Sequence, residues 1–310
     1  MTAATETNGV LKFKPVALPC VRNEATRLYT TNLFRGRCPH ACAYCYAAGF
    51  KSFSRGGPIP VSREAIEGVE KCPRRLFLSS ASDPFHPVVV ELAEEVLRRA
   101  LAAGTFVVIS TKAMATPEVV KILSQYPDQV SYTVSVSSLS EERNRLVEPN
   151  APSARERLHG KRQHGASEFC GAEQVVRSGV HITLKVDSLF PGIDDTEEGI
   201  SRLLEEAKGC GVQAVNFSYA FYRSKFKNTL AAIPLLRDSL ATMSKRQPIA
   251  SGTGFSLPLS EKRNRLSHMA QIARTIGFEV ISTCWCKNQA GALPTEIPMR
   301  LECRFHDRWF

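Results

Sequence analysis

A chain of 310 residues with 43% hydrophobic and 23% charged side chains sits near the averages of folded domains, which excludes wholesale disorder and suits one α/β barrel with additions at either end. No apolar run approaches the roughly 20 residues of a membrane-crossing helix, and Met1 to Val10 lack the basic flank and apolar core of an export signal, so a cytoplasmic protein without a membrane partner is expected. Forty basic against thirty acidic residues give a net charge of +10, which attracts polyanions at long range without showing that the charge gathers on one face.

Residues 1–25 carry little periodicity and include Pro15 and Pro19, the pattern of an arm laid over the body. From Leu28 onward, β-rich runs alternate with amphipathic stretches. Strands are expected at Arg75–Leu78, Thr105–Ile109, Val130–Val136, His181–Val186 and Gln213–Phe217, where β-branched and aromatic residues concentrate. Helices are expected over Val88–Ala103, Pro117–Gln125, Ala154–Ser178 and Glu197–Lys208, whose apolar residues recur at helical spacing. Gly104, Gly179 and Gly211 each fall just before a strand, where a helix ends in a left-handed residue. Such repetition calls for parallel pairing with right-handed crossovers. The pattern weakens after Tyr219 and resumes with a helix at Glu261–Thr275, a stop at Gly277 and a strand at Phe278–Ser282. The tail from Thr283 to Phe310 has turn-favouring Pro294 and Pro298 and little regular pattern.

Ten cysteines without an export signal point to metal binding or chemistry rather than to a disulfide framework. Three of them stand in Cys38-Pro39-His40-Ala41-Cys42-Ala43-Tyr44-Cys45, a C-x3-C-x2-C run. Four thiolates would close a 4Fe–4S cube, whereas three leave one iron open. An open iron can chelate the amino and carboxylate groups of a methionine moiety. The spacing also suits tetrahedral zinc, for which His40 is the nearest fourth ligand.

With an aromatic residue before its last cysteine, this run resembles the signature of the radical S-adenosylmethionine (SAM) superfamily. The resemblance implies a 4Fe–4S cluster on Cys38, Cys42 and Cys45, with SAM at its open iron and Tyr44 making backbone contacts to the adenine. It also implies reductive cleavage of SAM to a 5′-deoxyadenosyl radical that abstracts hydrogen from a substrate, with a flavodoxin- or ferredoxin-type electron donor. The fold it implies is a partial (β/α)6 barrel with the cluster loop after the first strand, at the C-terminal mouth. On that reading residues 1–25 are an N-terminal arm, 26–220 the core barrel, and 221–310 a C-terminal extension completing the barrel and covering the site.

Further blocks are similar to the subfamily related to spore photoproduct lyase. Ser79-Ser80-Ala81-Ser82-Asp83-Pro84-Phe85-His86-Pro87 follows the second strand; the resemblance implies SAM contacts from Ser80 and Ser82, with Asp83 offsetting the ammonium charge, while an Asp-Pro turn accounts for the same residues structurally. Ser135–Leu139 and Leu146–Leu158 are similar to the subfamily's fourth strand, its Glu-Pro-x-Ala-Pro-Ser loop and the helix that follows. Ser153 with Glu156 has capping-box spacing, and Ser135 and Ser137, inward by strand alternation, become candidate SAM contacts. Lys185 stands where the subfamily often has a basic residue, which implies the SAM carboxylate as its partner; an ion pair with Asp187, on the same face, is the alternative. Two departures stand out. Helical continuity breaks at Lys161–Gly171, and no cysteine stands at the fourth strand's end, where the DNA-repair enzyme keeps its hydrogen-donating thiol.

Cys284, Cys286 and Cys303 could ligate a second iron–sulfur cluster, with a fourth ligand from Cys20, a solvent molecule or substrate, or donate hydrogen to a product radical, or be semi-buried thiols. Cys72, Cys170 and Cys210 read as packing residues. Arg300, Arg304, His306, Arg308 and Trp309 mix cations with aromatics, and Arg223, Lys225 and Lys227 alternate; nucleic-acid contact and plain solvent exposure both account for these. Three functional readings follow: a radical SAM enzyme acting on a nucleic-acid base or lesion, one modifying a small metabolite or peptide, and a zinc-binding nucleic-acid module.

Overall fold

Valine, isoleucine and leucine alternate with hydroxyl and charged residues along the central strands, and that alternation decides what each face of the sheet meets. The computed structural model describes residues 13–15, 28–72, 74–161, 169–249 and 252–283. Cys20, Cys284, Cys286, Cys303 and the run from Arg300 to Trp309 lie outside the described residues. Seven strands pair in parallel in chain order: β1 Tyr29–Thr31, β2 Arg75–Leu78, β3 Phe106–Thr111, β4 Val130–Ser135, β5 Ile182–Leu189, β6 Ala214–Tyr219 and β7 Val280–Thr283. Lys14–Pro15 adds an antiparallel edge to β1. The α/β class and parallel pairing expected from the sequence are present, with β7 laid beside a six-strand unit.

Between these strands run α1 Val90–Ala102, α2 Pro117–Ser124, α3 Glu141–Val147, α4 Ala154–His159, α5 Ala172–Arg177, α6 Glu197–Gly209 and α7 Leu259–Thr275. Among the described residues, no helix is long and apolar enough to cross a membrane. α1 buries Leu92, Ala93, Val96, Leu97, Ala100 and Leu101 at helical spacing, each large side chain contributing about 1.5–3 kcal/mol by leaving water. Thr116 caps α2, accepting from the Val119 N–H at 3.1 Å ahead of Pro117. Gly104, Gly179 and Gly211 take the left-handed conformation that ends each preceding helix.

The helix expected over 154–178 is instead two. α4 opens with the Ser153–Glu156 capping box and ends at Gly160, whose φ is +83°. The backbone then doubles back so tightly that a Cβ on Gly171 would lie 2.3 Å from the Gly160 nitrogen. The break falls where Lys161–Gly171 interrupt the apolar spacing of the sequence.

Along β4 and one residue past its end, Tyr132, Val134 and Val136 lie in the apolar layer beneath the helices with Val107, Ile109, Leu184, Val186, Val215 and Phe217. The alternate residues point the other way. Register sets Ser110 beside Thr133, Ser135 beside Lys185, Lys185 beside Asn216, Asp187 beside Ser218, and Asn216 beside Ser282. The inner face of the sheet is therefore polar across five strands. A second apolar cluster gathers Tyr44 and Val147 with Phe190, Tyr222, Leu230 and Leu236, joining the segment after β6 to the cysteine loop.

Gly36 closes the approach to that loop. Its φ is +87°, and a Cβ there would meet the Gly57 carbonyl oxygen at 2.0 Å. Gly36→Ala is expected to cost about 2 kcal/mol or more from the left-handed backbone and the forced displacement of the 56–57 turn. Urea unfolding should show this as a lower midpoint with an unchanged slope.

Candidate active site

Two tight turns set the three cysteines. The Ala41 N–H donates to the Cys38 carbonyl at 3.1 Å, and the Cys45 N–H to the Cys42 carbonyl at 3.2 Å. Between them Ala41 has φ +53°, a left-handed conformation that costs a non-glycine residue about 1–2 kcal/mol. The three partly buried thiols are close enough to feel one another's charge. Burial pushes Cys38 up to about 12, with Asp83 and Cys45 adding to the effect. Cys42 is likewise pushed up to about 12 by burial, the Lys112 cation opposing while Glu148, Cys45 and Cys38 reinforce it. Both are thiols at neutral pH and become ligands when a metal displaces the proton. Among the other described cysteines, Cys72 lies against Thr105, Cys170 near Tyr132 and Cys210 against His159, so none joins the three.

Asp83 secures one side of the loop. Its Oδ1 accepts from the Phe85 N–H at 3.0 Å and the Thr111 hydroxyl at 2.7 Å; its Oδ2 accepts from the Lys112 N–H at 2.7 Å and the Ala113 N–H at 3.2 Å, and lies 3.1 Å from His40 Nε2. Burial alone would raise its carboxyl, but the bonds from His40, Lys112 and Thr111 outweigh it and hold the group below the usual carboxylate range. Expected as a partner of the SAM ammonium, Asp83 spends its oxygens on tying the cysteine loop to the ends of β2 and β3. His40, the nearest fourth ligand for zinc, has Nε2 on Asp83 and Nδ1 3.5 Å from the Asn150 carbonyl, so both ring nitrogens face protein partners.

Glu148 secures the other side. The Ala43 N–H donates to the Val147 carbonyl at 2.9 Å, and Asn150 Nδ2 to the Pro39 carbonyl at 2.8 Å. The buried Tyr44 hydroxyl donates to Glu148 Oε1. Arg157 reaches Glu148 Oε2 at 2.6 Å, Lys112 Nζ lies 3.2 Å from Oε1, and Arg143 lies 3.5 Å away while pairing bidentately with Asp194 at 2.9 Å twice. Three cations thus meet two carboxylates. The buried Lys112 Nζ has no hydrogen bond of good geometry among the described residues. An excess positive charge beside Cys42 suits a cluster that is anionic with three thiolates, and that site chemistry fits the donor set.

The remaining candidate contacts divide. Ser80 Oγ accepts from the Thr30 hydroxyl at 2.7 Å, the Ser80 carbonyl accepts from the Tyr46 hydroxyl, and Ser82 Oγ donates to Asn32 Oδ1 at 3.4 Å, so both serines belong to a network around β1. Lys185 Nζ lies 3.2 Å from Asp187 Oδ2. Ser135 and Ser137 lie on the polar face, with Ser137 Oγ buried and without a partner among the described residues, as are the hydroxyls of Thr133 and Ser218. Unpartnered buried hydroxyls each cost about 1–3 kcal/mol, and a polar ligand would relieve that cost. Arg223 and Lys225 both donate to the Gly49 carbonyl, at 3.2 and 3.3 Å, just after Cys45.

Sequence reasoning missed Lys112, Arg143, Arg157 and Asp194. Lys112 carried a signal, a cation closing the buried run Val107–Thr111. Arg143 and Arg157 sit on short helices whose charges look like a solvated face.

Residues 33–164 match the model of the Radical SAM superfamily. That stretch thus carries a radical SAM domain, and the superfamily implies a 4Fe–4S cluster and SAM. "Uncharacterized protein ORF301" of Acidianus two-tailed virus is 27% identical over 199 residues, 57% of this chain and 62% of that protein; the match spans less than two thirds of the relative's length. A spore photoproduct lyase variant with bound AdoMet and dinucleoside spore photoproduct shares the fold at TM-score 0.66 and 14% identity, over 87% of this chain and 78% of the other. Streptococcus suis SuiB bound to S-adenosylmethionine is similar at TM-score 0.51 and 11% identity, over 81% and 49%.

Proposed function

We propose that this enzyme, whose radical SAM domain spans residues 33–164, holds a 4Fe–4S cluster on Cys38, Cys42 and Cys45 and takes hydrogen from a nucleic-acid base or lesion. The convergence of three partly buried thiols on a loop fastened from both sides by Asp83 and Glu148 carries this reading. When bound, the cluster supplies the electron, drawn from a flavodoxin- or ferredoxin-type donor, for reductive cleavage of SAM to the 5′-deoxyadenosyl radical.

The chain's own residues bind, orient and shield. Cys38 and Cys42 yield their protons on metal binding, and Lys112 offsets the negative charge that results. Tyr44 has its ring anchored on Glu148, which leaves its backbone for the adenine. On the inner face Ser135, Ser137 and Lys185 offer donors to a carboxylate or to ribose hydroxyls. Ser80, Ser82 and Asp83 act one step back, shaping the loop that faces the methionine end. The segment from residue 221, whose Tyr222 and Leu230 pack with Tyr44, serves as the cover that keeps water from a reactive intermediate.

A nucleic-acid substrate is supported by the +10 charge and by likeness to a lyase solved with a dinucleoside spore photoproduct. The test is anaerobic reconstitution followed by SAM and dithionite. Iron, sulfide and 5′-deoxyadenosine are the expected readouts, with DNA retained on a filter at low salt and released as salt rises. Absence of 5′-deoxyadenosine would overturn the SAM chemistry; no retained DNA even at low salt would overturn the substrate and favour a small metabolite or peptide.

A further inference from the structure

Where the C-terminal ends of α4 and α6 meet the start of α5, four side chains converge that the proposed reaction does not use. His159 Nδ1 lies 3.5 Å from Cys210 Sγ and 3.4 Å from Glu173 Oε2, and His159 Nε2 lies 2.8 Å from Glu206 Oε1. One ligand atom from each of His159, Glu173 and Cys210 falls within 4.8 Å of the others. Cys210 is buried, Glu173 and Glu206 are partly buried, and His159 reaches the surface.

These distances can be set against coordination geometry. Bonds of about 2.0 Å to nitrogen and oxygen and about 2.3 Å to sulfur, opened at the tetrahedral angle, hold nitrogen and sulfur about 3.5 Å apart and nitrogen and oxygen about 3.3 Å apart. The two measured spacings around His159 Nδ1 are of these lengths, while Cys210 Sγ also lies 3.9 Å from Nε2, so the imidazole turns on its side chain to bring the Nδ1 lone pair onto a shared ion. Glu206 accounts for the other ring nitrogen: a carboxylate accepting from Nε2–H fixes the tautomer that leaves Nδ1 its lone pair for an ion. A surface ion-pair cluster explains two carboxylates around an imidazole. It does not explain a buried thiol, a weak hydrogen-bonding group, set against the same ring.

We propose that His159 Nδ1, Cys210 Sγ and a Glu173 oxygen bind a zinc-class divalent ion, with Glu206 orienting the imidazole and water taking the fourth position. Thiolate and imidazole select zinc over the hard cations magnesium and calcium. One ion would then join three helices, two of them only six residues long, across the break between α4 and α5.

The test uses cluster-loaded protein and zinc ion alone. After equilibration with Zn2+ and dialysis against metal-free buffer, elemental analysis should find one zinc per chain beyond the cluster iron, and the melting temperature should rise with zinc as mass action requires. Cys210→Ser and His159→Gln should each lose that zinc and the thermal shift, while Glu206→Gln should weaken zinc binding by about 10- to 100-fold. His159 is exposed enough that its variant folds, and unchanged iron content would verify this. A wild-type protein that retains no zinc, or zinc uptake and thermal shift equal to wild type in both Cys210→Ser and His159→Gln, would overturn the proposal.

Discussion

Cys42→Ala should lower 5′-deoxyadenosine formation from SAM and dithionite by about a thousandfold or more, equivalent to about 4 kcal/mol of barrier. The reason lies in ligand number. Two thiolates cannot retain a cube whose third corner has become a methyl group, and Cys42 is also the thiol that meets both Lys112 and Glu148. Its loss leaves the buried ammonium without the anion that the loaded site would present. Iron and sulfide should fall together with the product. Cys72→Ala, at a thiol beside Thr105 rather than in the loop, should leave all three at wild-type levels. Product formation that survived Cys42→Ala would remove this residue from the ligand set.

Glu148→Gln is expected to cost about 3–5 kcal/mol of stability, the range for breaking one member of a buried ionic group. The amide keeps the volume but removes the charge that Arg157, Lys112 and Arg143 share, so three cations are left with Asp194 alone. Urea unfolding of the two proteins measures the difference directly. The pH dependence follows with a definite sign. Burial would raise the Glu148 carboxyl, but Lys112, Arg157 and Arg143 hold it below its ordinary 4.5; Asp83 is held below its ordinary 3.8. A depressed carboxyl contributes stability that is complete above its unfolded value and disappears as pH falls toward the folded one. Wild-type stability should therefore begin to fall below about pH 4.5, and Glu148→Gln should show a shallower acid slope because one of the two groups no longer titrates. Equal slopes in both proteins would mean that Glu148 is not the carboxylate under strain of protonation.

What could be read from the chain was local. The cysteine run is contiguous, so ligand spacing survives in one dimension, and the strands announce themselves because Val134 and Val136 alternate with Thr133 and Ser135. The role of Asp83 was hidden because its partners, His40 and the backbone at 112–113, lie far away in sequence. Arg143 and Arg157 were hidden for a different reason. Charge on an amphipathic helix ordinarily faces water, and only the fold brings Glu148 and Asp194 to the same buried spot. Within Ala154–Ser178 the interruption at Lys161–Gly171 was legible as lost apolar spacing, but not that it divides the stretch into two helices, a reversal that Gly160 and Gly171 permit.

The anchoring of the cysteine loop bears on what happens when oxygen destroys an inorganic cofactor. Asp83 and Glu148 grip the polypeptide itself, through bonds that involve no iron. A stripped protein should therefore persist as a receptive shell, its sulfurs still facing one another, and fresh iron and sulfide could refill it by mass action without any refolding.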